Sequence, residues 1–405
     1  MPFWKAASDN PNRANGAPGE MFTARCRCFV RRGMLRLLAC VVLPVVLLAS
    51  AEGILRAAHC GRSMRPFIEK RCDGQTVLLR NKAFLQQFFT RPITQAEWEK
   101  PEFTIVPEKP VNTVRILVFG SSAALGWPGY DFAFSRLLEV ILAANYPQVH
   151  FEVCNAAYWG VNSHVMRVMA QTCAKLQTDM FLVCMGNNEV HGPFGLKTGF
   201  RNTSGPPNLK AIHANIWLGD LRLAQLIRGV PWESPPTVPT SGNPAPARPD
   251  DPRLKTIYAN FERNLEDICD AGSGAGARVV LSTVGANLRH WPPSDAMHLR
   301  TLSADESANW DGAFTKGVPL QEAGSWSEAV QAYGQAESVD DTHAELAYHL
   351  GQCLWALGEY EKARIHFTRA LDFDSFDWVR AKTPINETIT RVAARHEKRF
   401  FIGSS

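Results

Sequence analysis

The sequence lacks the usual marks of a metal protein. Its ten cysteines include no C-x-x-C pair, and none of its eleven histidines stands in an H-E-x-x-H arrangement. No metal and no cofactor are expected. A large net charge is missing too, with 43 Lys and Arg against 39 Asp and Glu. Much of the basic excess gathers near the N-terminus in Arg25, Arg27, Arg31, Arg32 and Arg36 rather than along a groove-lining stripe, so no nucleic-acid partner is indicated. The seven cysteines from Cys60 to Cys353 are an odd number and cannot all pair within one chain; Cys154 and Cys184 fall inside strand-like apolar runs and read as core thiols.

An uncharged run of full membrane-spanning length is also missing. "LLACVVLPVVLLASA", Leu37 to Ala51, is uncharged for fifteen residues, against the ~20 of a spanning helix. It reaches Leu55 if Glu52 lies at the interface. Ala49-Ser50-Ala51 behind a basic stretch fits a signal-peptide cleavage site almost as well. The reading is a transmembrane or signal-anchor helix over 34–56, with the chain beyond it extracytoplasmic and membrane-anchored, or secreted after cleavage. Residues 1–33, polar and rich in Asn, Gly and Arg, read as disordered, or precede a start at Met21 or Met34.

The chain does have a strand-helix alternation. After a connecting segment over 57–112, apolar runs at Val114–Phe119, Phe151–Ala157, Met180–Met185 and Ala277–Val284 read as strands. Between the first two, Phe134, Leu137, Leu138, Val140, Ile141 and Leu142 fit a helix packed on a sheet. Strand, helix, strand in repetition implies an α/β fold with a parallel sheet covered by helices. Gly229 to Pro252 carries eight prolines and reads as an irregular surface excursion. From Asn309 the texture turns helical with a 34-residue period: Gly317 matches Gly351, Gly324 matches Gly358, Trp326 matches Tyr360, Ala329 matches Ala363, Tyr333 matches Phe367 and Ala336 matches Ala370. That period, with small residues where helices cross and aromatics between them, resembles the tetratricopeptide repeat. Pro319 departs from the pattern and should kink its helix. Two repeats are fewer than the ~3 of an independent solenoid, so the pair should lean on the rest of the chain.

Three strand ends carry the chemistry. The first gives Gly120-Ser121-Ser122 with Gly126, the second "NAAYWG" from Asn155 to Gly160, and the third "MGNNEVHG" from Met185 to Gly192. Acyl transfer needs a hydroxyl to attack a carbonyl and donors aimed at the oxygen that becomes negative, worth about 2.7–4 kcal/mol for one oxyanion contact. A glycine permits close backbone approach, and an amide side chain donates without adding charge. In these blocks the sequence resembles the SGNH/GDSL serine hydrolases. That resemblance implies a flavodoxin-like three-layer parallel sheet over 113–308, with Ser122 as nucleophile, Gly160 as backbone oxyanion donor and Asn188 as side-chain oxyanion donor. Where the family's first block usually has aspartate before the serine, this chain has Ser121. Where its third block often reads Gly-x-Asn-Asp, Glu189 stands last.

The resemblance extends to bacterial members with an N-terminal membrane segment and a repeat pair inserted before the last strand. It implies repeats over 309–376 and a return to the hydrolase fold over 377–405. The family's Asp-x-x-His block, whose histidine takes the serine proton, is expected after a final strand that starts near Arg399 to Ile402. The chain reaches Ser405 without it, so the hydrolase domain reads as incomplete and catalytically weak. One formal match, Asp295-Ala296-Met297-His298, precedes the repeats and makes His298 a candidate base. His164 and His191 are weaker alternatives. The function implied is an esterase or O-acyltransferase acting on a small-molecule or carbohydrate ester. The alternative is a non-catalytic membrane-anchored binding or assembly protein that docks a protein partner through its repeats.

Overall fold

The computed structural model describes residues 38–88, 104–126, 129–196, 208–227, 248–375, 380–396 and 400–403. The segment 1–33 and most of the proline-rich excursion lie outside them. The chain divides into two compact units, Met1–Arg62 with Leu221–Trp232, and Ser63–Asp220 with Glu233–Ser405.

In the first unit a π-helical turn, Leu38–Val42, runs into the α-helix Leu43–Ala57. Together they make one 20-residue helix, Leu38–Ala57, long and apolar enough to cross a membrane. Its side chains face outward, with Leu47, Leu48 and Ile54 all exposed. Glu52, the one acid in it, is fully occupied: its carboxylate accepts from Arg56 Nε at 2.7 Å, Arg222 N at 3.0 Å and Leu223 N at 2.9 Å. The two backbone donors open the short helix Arg222–Ile227, whose first N–H groups have no intrahelical acceptor.

The second unit is built on a five-stranded, all-parallel sheet. Its strands are β4 (Thr113–Gly120), β5 (His150–Asn155), β6 (Met180–Cys184), β7 (Arg278–Ser282) and β8 (Phe400–Gly403), in spatial order β5-β4-β6-β7-β8. Alternation along the strands sorts the core. Leu117, Phe119, Phe181, Val183, Val279 and Leu281 join the main cluster with residues of the helices Ser163–Cys173, Leu254–Gly274 and Thr383–Arg395. Val118, Val153, Leu182 and Cys184 meet Leu125 and Phe134 in a separate cluster. The apolar stripe on Phe134–Asn145 is wider than its contact: Phe134, Leu138 and Leu142, one row at i, i+4 and i+8, are partly buried, whereas Leu137, Val140 and Ile141 are exposed.

Two differences from the sequence reading have local causes. The strand expected over Phe151–Ala157 ends at Asn155, because the Asn155 amide oxygen accepts from Ala157 N at 3.1 Å and turns the chain. The segment read as a mere connection holds an antiparallel sheet of β1 (Phe67–Cys72), β2 (Gln75–Arg80) and β3 (Thr104–Ile105). Its hairpin turns on Asp73-Gly74, both at positive φ, the Asp-Gly signature of a two-residue turn.

Between β7 and the helix Thr383–Arg395 that precedes β8 lie the helices Ala304–Glu322, Trp326–Val339, Ala344–Ala356 and Tyr360–Phe373. Ser303 and Glu306 form a reciprocal cap that starts the first one at Ala304, ahead of the expected Asn309, and that helix continues through Pro319 to Glu322. The repeats are tied to the irregular segment that leaves β7. Tyr348 Oη and Gln352 Nε2 donate to Arg289 O at 2.8 and 2.7 Å, the Arg289 guanidinium lies 4.4 Å over the Trp355 ring, and Leu288 packs with Leu354, Ala363 and Phe367. On the far side, Asp374 accepts from Ser294 N at 2.8 Å and pairs with Arg380 at 2.9 Å, just before the helix Thr383–Arg395 that leads to β8.

Candidate active site

β4 lies between β5 and β6, so parallel pairing carries the ends of all three strands to one edge of the sheet. Open parallel sheets bind ligands at such an edge, where the strand order reverses. Gly120 closes β4 because a Cβ there would meet Cys184 O of β6 at 2.3 Å and Ala124 Cβ at 2.4 Å. Ser121 is still extended, and Ser122 begins a one-turn helix, Ser122–Leu125, that Gly126 ends in the left-handed conformation, φ 96°. Ser122 is half-buried, and its Oγ makes no hydrogen bond among the described residues. The buried Ser121 Oγ likewise has no partner among them.

The second loop is held from both sides. Asn155 Nδ2 donates to Ala124 O and Ser135 Oγ, each at 2.9 Å, so the end of β5 is bound to the turn that carries Ser122. Arg80 of β2 donates to Ala157 O at 2.9 Å and to Asn155 O, with its guanidinium 4.4 Å over the Tyr158 ring. Gly160 then turns at φ 68°, a left-handed conformation that disfavours side chains. Soon after it, Ser163 starts the helix Ser163–Cys173.

The third loop meets the second directly. Buried Asn188 donates through Nδ2 to Val161 O at 3.0 Å, and Asn162 Nδ2 donates to Pro193 O at 2.8 Å. An amide nitrogen carries two protons, so Asn188 keeps a second N–H for another acceptor. Glu189, 3% exposed, accepts from Ser163 N at 3.0 Å and Ser163 Oγ at 2.7 Å. Burial raises its carboxyl to about 7, an effect the two Ser163 bonds oppose. Asn264 of the helix Leu254–Gly274 completes the network, donating to Ser163 Oγ at 2.9 Å and standing 3.0 Å from His164 Nδ1.

The structure therefore brings the Ser122, Gly160 and Asn188 loops to one sheet edge and gives the candidate histidines other surroundings. His298 belongs to the repeats: its Nδ1 lies 2.5 Å from Asp340 Oδ2, and its ring packs on Trp310 at 4.8 Å and His343 at 5.0 Å. Asp295 does not touch it but accepts from Ser375 Oγ at 2.6 Å. His164 is buried under the loops, edge-on to Phe194, and burial lowers its pKa to about 3, so it stays neutral. His191 lies half-buried in the third loop. No group of three or more His, Cys, Asp or Glu that could hold a metal occurs among the described residues. Burial pushes the Cys154 thiol up to about 12 and Cys184 up to about 11, which keeps both as inert thiols. Sequence reasoning passed over Arg80, Ser163 and Asn264; no motif links them, and only folding brings them beneath the loops.

Residues 315–377 match the family model of the tetratricopeptide repeat. A search of curated proteins finds no match. Among solved structures, the crystal structure of TesA is similar over 44% of this chain, at 14% identity and a TM-score of 0.25. The match covers 64% of the TesA chain, so this protein spans less than two thirds of that structure's length.

Proposed function

We propose that this protein is a membrane-anchored, extracytoplasmic serine esterase or O-acyltransferase of the SGNH/GDSL kind. On this reading 113–308 and 377–405 form one flavodoxin-like sheet domain, 309–376 is a repeat pair inserted in it, and 34–56 anchors it. The strand order, second-first-third-fourth-fifth and all parallel, supports the flavodoxin-like assignment. The observation that carries the function is the Ser122 hydroxyl. It stands half-buried and without a hydrogen-bond partner among the described residues, at the strand end flanked by the Gly160 and Asn188 loops.

The chemistry comes from those parts. Ser122 Oγ attacks the ester carbonyl carbon while the carbonyl electron pair moves onto oxygen, and the Oγ proton passes, directly or through water, to the ester oxygen that leaves as the alcohol. Gly160 N–H and the second N–H of Asn188 donate to that oxyanion. Collapse expels the alcohol and leaves an acyl-serine, which water or a sugar hydroxyl then takes up. A small-molecule or acylated carbohydrate ester fits this scheme, and no cofactor is needed for it. His298 has the carboxylate on Nδ1 that orients a general base, but its neighbours Trp310, His343 and Asp340 are repeat residues, which favours a packing role there.

Fluorophosphonate labelling of the full chain in detergent tests the reading, because only an activated serine reacts quickly. Labelling at Ser122 that Ser122→Ala removes supports it; a chain that does not label overturns it. The repeat match favours a second role, docking of a protein partner, which in the absence of labelling becomes the whole function.

A further inference from the structure

We infer that Glu189 is a positioning residue for the oxyanion hole, its carboxylate fastening the Asn188 loop to the Gly160 loop. The inference rests on the acyl-transfer reading of those two residues and adds a role for the residue next to Asn188. The need for a fastener comes from topology. Gly160 lies beyond β5 and Asn188 beyond β6, and these strands do not pair with each other; both pair with β4. Two strand spacings, roughly 10 Å, separate them, and no sheet ladder sets the distance between their loops.

Four hydrogen bonds supply what the ladder does not. Asn188 Nδ2 to Val161 O at 3.0 Å and Asn162 Nδ2 to Pro193 O at 2.8 Å are single contacts. Glu189 makes the other two with one residue, taking Ser163 N on Oε1 at 3.0 Å and Ser163 Oγ on Oε2 at 2.7 Å. Ser163 is the first residue of its helix, where backbone N–H groups lack partners and an acid is favoured. Asn264 holds the same hydroxyl from the Leu254–Gly274 helix, so the fastener is anchored behind the sheet. An isolated buried carboxylate is costly, and an apolar side chain would fill the space more cheaply. What an apolar residue cannot do is accept twice from Ser163 and thereby fix Gly160, three residues before it, against Asn188, one residue before Glu189.

Glutamine keeps an oxygen for Ser163 N and a group that hydrogen-bonds Ser163 Oγ, whereas alanine keeps neither. The full chain in detergent is labelled with a fluorophosphonate, and the maximal rate is separated from the half-saturating concentration. Glu189→Ala should lower the maximal rate by about 10- to 100-fold, the effect of a misplaced catalytic group. The half-saturating concentration should hold, and Glu189→Gln should restore most of the rate. Full-rate labelling by Glu189→Ala, or an equal loss in both variants, overturns the inference. If the wild-type chain does not label, the acyl-transfer reading fails separately. Backbone hydrogen exchange at Gly160 to Ser163 then decides the fastening alone: faster exchange in Glu189→Ala but not Glu189→Gln supports it, and unchanged exchange in both removes it. The same exchange measurement covers a Glu189→Ala chain that fails to fold, since Glu189→Gln must then still match wild type in both exchange and labelling.

Discussion

The sheet edge and the repeats both depend on glycines with no room for a side chain, yet the atoms that crowd them differ. In the repeats, a Cβ on Gly317 would meet the Tyr333 ring at 2.4 Å, and one on Gly351 the Phe367 ring at 2.6 Å. Those glycines let aromatic rings sink between helices, so they serve packing. At the sheet edge, a Cβ on Gly120 would meet the Cys184 carbonyl oxygen at 2.3 Å, and one on Gly192 the Asn188 carbonyl oxygen at 2.6 Å. Those glycines press backbone on backbone and set where polar atoms stand. The polar groups do not divide so cleanly: Trp310, Tyr333 and His349 in the repeats find hydrogen-bond partners, but His343 Nδ1 and His366 Nδ1 there lack one among the described residues, as Ser121 Oγ does at the sheet edge. On the glycine contrast, substitutions should separate the two regions, with activity lost at the edge and stability lost in the repeats.

The largest effect is expected at Ser122. Ser122→Ala should abolish labelling and any ester turnover and leave the unfolding midpoint in place, because a half-buried hydroxyl with no partner contributes little to the fold. On the proposed acyl-transfer reading, Asn188→Ala should reduce turnover by about 100-fold or more, the scale of losing one oxyanion donor. It also removes the Val161 contact, so some loss of stability accompanies it. Unfolding and turnover measured on the same preparations check both, and an unfolding midpoint that collapses in Ser122→Ala would erase the distinction between the regions.

The converse variant lies in the repeats. Gly351→Val drives a branched side chain into the Phe367 ring and should cost about 1–3 kcal/mol or more, as overpacking does. Labelling of the fraction that remains folded should be unchanged. Denaturant unfolding gives the first quantity and labelling at low temperature the second.

A smaller and pH-dependent effect belongs to Glu189. Its folded pKa, raised to about 7 by burial, exceeds the ordinary 4.5. Between those values the folded chain holds a proton that the unfolded chain has released, so stability falls as pH rises through that window. Glu189→Gln mimics the protonated state and should flatten that part of the profile. An unaltered slope from about pH 5 to 7 would mean that Glu189 ionises as an ordinary carboxyl.

The range of the contacts decides how much of this was legible in the sequence. Period carried the repeats, since Gly317, Tyr333, Gly351 and Phe367 recur at 34 residues and pack as recurrence implies. Apolar runs carried β4 to β7, and Phe400–Gly403 pairs in parallel with β7 close to where a last strand was expected. The β1–β2 hairpin was signalled by Asp73-Gly74 but masked by its charged strand "FIEKRC". The supports of the site were hidden for a different reason: Arg80 acts on a loop 75 residues away and Asn264 on a serine 101 residues away. Such pairs share no local pattern, and only the packed sheet and helices bring them together.

The smallest effect on chemistry is expected from His298, whose sequence context suggested the largest. An Asp three residues before a His is only a spacing, and here each of the two binds elsewhere, Asp295 to Ser375 and His298 to Asp340. Asp340 is the residue that depends on the pair. Its side chain is 2% exposed, and although burial pushes its pKa up, the His298 and Thr342 bonds together hold it below the ordinary carboxylate value. His298→Ala would leave that buried carboxylate with Thr342 alone and strip an edge contact from Trp310. A hydrogen bond to a charged group contributes about 1.5–3 kcal/mol, so His298→Ala should destabilise the repeats on that scale. The rate at which Ser122 labels should stay within about twofold, because none of the lost contacts reaches the three loops. A fall of about 100-fold or more in labelling, at unchanged unfolding midpoint, would make His298 the proton acceptor for Ser122 and place general-base chemistry in the repeats.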